Sequence, residues 1–166
     1  MTIYLVVPLL VIVAILQSTI VSHFRIWGVF VDLPLLVVVS WSLLRGSREG
    51  LVWGFIAGLT VDLFSVAPFG AATLGMMAAG FLSGLGKSAV FGSQIILPLI
   101  TVLLVTIVYD ILFLLVVWIS GYPVSWLDGL LHLILPSAVL NTVLMPVVFV
   151  IMRWLNTRFG RAEMEW

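Results

Sequence analysis

The most constraining feature of this sequence is the near absence of charge over lengths that matter. Six apolar runs, 3–21, 29–44, 50–66, 71–86, 95–119 and 129–154, take up most of the 166 residues. A helix needs about 20 mainly apolar residues to cross roughly 30 Å of hydrocarbon. Only 8% of the residues are charged and 63% are hydrophobic. Ordinary soluble domains carry roughly 25% and 45–50%, so this chain cannot cover itself with a water-compatible surface. A transmembrane β-barrel is also excluded, because its strands alternate apolar and polar residues, whereas these runs are apolar on every side. The expected fold is therefore an all-α integral membrane protein, a bundle of six transmembrane helices followed by a short tail, 155–166.

The same arithmetic removes several functions. Seven Lys/Arg balance seven Asp/Glu, which leaves no basic field to hold nucleic acid. The chain has no cysteine, so it has no disulfide framework, thiolate metal site or cysteine nucleophile. The first run is expected to stay attached, since no basic residue precedes it and no small-x-small cleavage site follows. Arg45, Arg48, Lys87, Arg153, Arg158 and Arg161 fall on one side of the six-span topology and only Arg25 on the other. The positive-inside rule makes that side cytoplasmic, with both termini there. Tryptophans mark the two interfaces: Trp27, Trp118 and Trp126 outside, Trp41, Trp53 and Trp154 inside.

Two features of the third and fourth runs stand out. Gly46, Gly50, Gly54 and Gly58 recur every four residues, and Asp62 continues the row. Such a stripe lies on one helix face and lets another backbone approach closely. The fourth run offers a matching surface through Ala71, Gly75, Ala79 and Ser83, and a second through Gly80 and Gly84. These faces serve either packing inside the chain or docking to another membrane protein. Asp62 is placed to reach the headgroup layer or to cap the start of the fourth helix, across the tight turn made by Pro68 and Gly70.

Farther along, Asp110 sits inside an apolar helix, where a carboxylate costs at least about 2.5–3.5 kcal/mol and must face protein or a cavity. Candidate partners are Asn141, Thr142 and His132, with Arg25 or Lys87 reached only by inward-folding loops. Ser125 and Asp128 have the spacing of a capping box at the start of the sixth helix. His132, four residues after Asp128, gives at most two ligands, too few for a metal. Pro98, Pro136 and Pro146 are potential kinks, and Ala14, Ser18 and Ser22 form a further small-residue stripe. No nucleophile, base and acid share a plausible face, so neither catalysis nor a cofactor is expected.

The segment 32–74 resembles the rod shape-determining protein MreD family. It carries the family's Asp-x-Pro start at Asp32 and Pro34, an aromatic within the apolar helix at Trp41, and the pair Arg45-Gly46. The Gly-x-x-x-Gly helix follows at Gly50 and Gly54 and closes on Gly58, Leu59 and Asp62. The Pro-x-Gly turn is Pro68 and Gly70. The resemblance implies a non-enzymatic membrane component of the lateral wall-elongation complex in the bacterial inner membrane. Its implied partners are the bitopic protein MreC and, through it, a RodA-type glycan polymerase, a penicillin-binding transpeptidase and the MreB filament. It also implies a fold like the substrate-binding subunits of energy-coupling-factor transporters.

Two other readings compete with a scaffold. One is a vitamin-type substrate-binding subunit, with Asp110, Asn141, His132 and Thr106 lining its pocket. The other is a lipid-handling enzyme or flippase, which calls for more intramembrane polar groups than this chain has.

Overall fold

Asp32 and Pro34 decide where the first well-described helix begins. In the computed structural model, which describes residues 31–89 and 96–159 together with positions 8, 11–13, 15 and 17, the Asp32 side chain accepts from the Leu35 N–H. Pro34 occupies the first turn, where its missing N–H costs nothing. Helix α1 therefore runs Leu33–Arg45 and starts later than the apolar run suggests. Gly46, at φ 109°, turns the chain in a conformation that disfavours any side chain. Helix α2 follows immediately as Ser47–Phe64, taking Ser47, Arg48 and Glu49 into its first turn, where Glu49 meets the positive end of the helix dipole.

Gly70, left-handed at φ 98°, then sets up α3, Ala71–Leu85, which tapers into a 3-10 turn over Gly86–Ala89. Helix α4 is Ile96–Ile119. The last stretch opens as a short helix α5, Trp126–Gly129, widens into a π turn over Leu130–Ile134, and continues as α6, Leu135–Phe159. The π turn has a local cause. The Pro136 ring cannot sit against the carbonyl four residues back, at His132, and a widened turn relieves that clash. Pro146 lies within α6, and Pro98 is buried near the start of α4.

Among the described residues all regular structure is helical. Two stretches, Ile96–Ile119 and Trp126–Arg158, are long and apolar enough to cross a membrane. Leu33–Arg45 and Ala71–Leu85 are apolar but shorter, and α2 carries Arg48, Glu49 and Asp62. Most of the expected first span lies outside the described residues. So do Ala14, Ser18, Ser22, Arg25, Trp27, Arg161 and the end of the expected tail, whose beginning belongs to α6.

Successive helices run in opposite directions, so α1, α3 and α6 finish at the same end. The side-chain contacts fix that order: Ser42 of α1 reaches Gly80 of α3, Asp110 of α4 meets Ser137 of α6, and Asp32 lies beside Asn141. Arg45, Arg48, Lys87, Arg153 and Arg158 all gather at that end. There the Lys87 ammonium donates to the Arg45 carbonyl at 2.9 Å, capping α1, and Arg45 lies over the Trp41 ring while pairing with Glu49. Trp41 and Trp53 are not interfacial anchors. Both are buried in the core beside Leu35, Val38, Met76 and Met145, and the Trp41 indole N–H donates to Glu49. Trp118, Trp126 and Trp154 are exposed, with Trp118 edge-on to Trp126.

Candidate functional site

The glycine stripe is filled from within. Gly50, Gly54 and Gly58 of α2 lie directly against the α3 backbone, at Gly80, Met76 and Thr73 respectively, and Gly84 lies against Ser47 at the start of α2. A Cβ at any of these positions would come within 3.0 Å of backbone atoms, closer than real side chains approach. At Gly50 the space is also used by Ser42 of α1, whose hydroxyl donates to the Gly80 carbonyl at 2.5 Å. Three helices thus meet where a side chain would have held them apart. It is thus the Gly80 and Gly84 face of α3 that meets α2, whereas Gly75, on the face expected to match the stripe, makes room for the Tyr109 ring of α4.

Asp62 ends this row as a cap. Its carboxylate, 4% exposed, accepts from the Gly70, Ala72 and Thr73 N–H groups at 3.0 Å each and from the Thr73 hydroxyl at 2.5 Å. Those amides are the unpaired donors at the start of α3, where the helix dipole also favours negative charge. Asp62 therefore holds the α2–α3 turn closed and does not reach for headgroups.

A second polar group lies between α1, α4 and α6. Asp110 accepts from the Ser137 hydroxyl, which also lies 3.0 Å from the Ile134 carbonyl at the end of the π turn. Asn141, fully buried, accepts from the Asp32 N–H at 3.1 Å and donates to Thr106 at 3.4 Å. The side chains of Tyr109 and Gln17 hydrogen-bond to the Asp32 carboxyl, and Gln17 also accepts from the Leu33 N–H at 2.7 Å. The result is a chain of polar contacts across the helix interfaces, in a medium where an unpaired polar group is expensive.

The expected partners of Asp110 therefore change. Ser137 takes that role, Asn141 pairs with Asp32 and Thr106, Thr142 bonds back to the Ala138 carbonyl, and Lys87 is at the far end. His132 and Asp128 are both exposed and stand apart from the network. Ser125 precedes α5 in an extended conformation, but its side chain makes no capping bond, so the capping box does not close. Ser137, Tyr109 and Gln17 escape a reading of the sequence. The available signal is depth: Asp110 and Ser137 sit at similar distances from the same end of neighbouring antiparallel helices.

An open depression lies elsewhere, lined by Trp118, Gly121, Tyr122, Pro123, Val124 and Ser125, none of them a member of the network. Asp110, Asn141 and Thr106 spend their hydrogen bonds on protein, so the reading as a vitamin-type binding subunit gains no support.

Replacing Asp110 with Asn is expected to leave the fold intact, because an amide oxygen accepts from Ser137 as the carboxylate does. Ser137→Ala removes the donor instead and should cost about 1–3 kcal/mol, the usual range for stranding a buried polar group. Melting temperatures of the two variants in one detergent check this, with S137A the lower.

Fold and site together define a helical membrane protein whose intramembrane polar groups tie its helices to one another. The chain belongs to the family of the rod shape-determining protein MreD, which matches residues 1–155. This is a family of shape-determining membrane proteins, and the match places the chain in the rod-shape machinery. No curated protein and no solved structure gives a significant match, so the likeness to a transporter subunit has no structural match behind it.

Proposed function

We propose that this protein is a non-enzymatic scaffold of the wall-elongation complex, a six-helix bundle in the inner membrane with both termini cytoplasmic. In this reading it binds MreC and, through it, helps to position the RodA-type glycan polymerase and the penicillin-binding transpeptidase on the MreB filament. One observation carries the reading: the buried polar side chains bond to one another and to helix ends, while long aliphatic faces of α4 and α6 remain on the outside. Such a molecule is equipped to be gripped by other membrane segments. The gathering of Arg45, Arg48, Lys87, Arg153 and Arg158 at one end of the bundle supports the orientation.

Co-expression with a tagged MreC, followed by capture in a gentle detergent, tests the proposal. A stable complex is expected. A folded, monodisperse protein that never co-purifies with MreC would overturn it.

A further inference from the structure

Two exposed polar groups, Asp128 and His132, open a stripe that is otherwise aliphatic. Asp128, His132, Leu135, Val139, Val143 and Val147 recur every three or four residues and are all exposed. Such spacing puts them on one continuous face of α5, the π turn and α6. Their depth follows from the neighbouring helix. Gly129 lies against Leu114 of α4 and Ser137 meets Asp110, so His132 falls between those levels, roughly 10 Å below Ile119 at 1.5 Å per residue. Helix α4 is about 36 Å long and overhangs about 30 Å of hydrocarbon by about 3 Å at each end. His132 therefore faces the apolar layer. The π turn adds a third group. The Leu135 N–H is given to the Leu130 carbonyl, and Pro136 has no N–H for the Leu131 carbonyl, which is left without a helical donor.

We infer that this stripe seats a transmembrane helix of another protein, which brings a hydrogen-bond donor to Asp128 and His132. A carboxylate and a free carbonyl call for a donor. Acyl chains would cover the aliphatic part equally well, but they carry no donor at this depth, and unanswered polar groups in hydrocarbon are costly. A helix supplies both an apolar surface for the valines and a polar side chain that bonds across the interface. Valine suits the role, since its β-branched side chain has little rotamer freedom to lose. The outward face of α4 has no such feature. Ile100, Leu104, Ile111 and Leu115 are exposed there and all apolar, and lipid satisfies them. The inference rests on the scaffold reading only for the name of the partner.

The test places the photoreactive residue benzoylphenylalanine at Val143 or, as a control, at Leu104 of α4, in the full chain expressed in rod-shaped cells. The two positions lie at similar depth, because Asn141 bonds to Thr106. After illumination, adducts are normalised to the folded protein in the membrane and the cross-linked peptide is sequenced. A transmembrane peptide of another protein is expected from Val143 and not from Leu104. Interhelical polar bonds in membranes contribute a factor of about three each, so D128L/H132L should lower that adduct roughly eight-fold. Both substitutions are at exposed positions. An adduct undiminished by D128L/H132L would overturn the site, as would lipid adducts alone or a peptide from a second copy of this chain. If the peptide comes from a protein other than MreC, the site stands and the choice of MreC falls. If MreC is captured from Leu104 alone, the scaffold stands and the site falls.

Discussion

Gly54→Leu is expected to be the most damaging single substitution in this protein. The first atom of the new side chain already collides with the Met76 carbonyl and lies 3.0 Å from the Met77 Cα, both backbone atoms that cannot swing aside. The α2–α3 pair, the most extensive helix contact among the described residues, must separate to admit the remaining atoms. Separation also breaks the Ser42 bond to Gly80 and strains the Asp62 cap. Overpacking usually costs 1–3 kcal/mol, and an obstacle made of backbone places this case at about 3 kcal/mol or above. For a chain of this length that is a fall in melting temperature of roughly 10 °C. Val52→Leu, on the exposed side of the same helix, should change little. Thermal unfolding of the two variants side by side gives the answer, and equal behaviour would mean that α2 and α3 are not in close contact.

Asp62→Ala comes next. It strands three backbone N–H groups and the Thr73 hydroxyl at the start of α3. A helix cap contributes about 0.5–2 kcal/mol, and bonds to a charged acceptor about 1.5–3 kcal/mol each before the losses overlap. A total near 3 kcal/mol is expected. Asp62→Asn keeps one acceptor oxygen and should lose roughly half as much. Thr73→Val, which removes the hydroxyl but leaves the backbone bonds, should cost about 1 kcal/mol. The order Ala, Asn, then Val at Thr73 separates a capping role from a general need for charge. If D62N is as damaging as D62A, charge matters beyond the cap.

Much of this architecture can be read from residues alone, for identifiable reasons. The expected bounds of α3 and α4 fall within a residue of the observed ones, because Pro68 and Gly70 punctuate one and the apolar run fills the other. The starts of α1 and α2 are harder. An apolar count extends α1 back through Asp32, which is its cap, and trims from α2 the polar first turn that Gly46 allows to follow directly. The start of the last helix is displaced by the π turn, which answers a clash between Pro136 and a carbonyl that hydropathy does not register. In the polar network, the cost of burying Asp110 is visible in the sequence. The identity of its partner is not, because it depends on how two antiparallel helices are rotated about their own axes. That rotation places Ser137 opposite Asp110 and leaves Asn141 for Asp32. The glycine stripe is legible as a close-packing face, but only the fold shows that α3 occupies it.

The central claim is that the intramembrane polar groups hold helices together and take no part in handling a substrate. The most direct test is shape rescue in a rod-shaped bacterium lacking its own MreD, scored against the amount of folded protein for D62N, D110N, S137A and an Asn141→Gln variant. The expected result is a single relation, in which every variant restores rods in proportion to the folded protein it leaves in the membrane. A variant that folds to wild-type levels and still yields round cells would contradict the claim and assign that residue a task beyond packing.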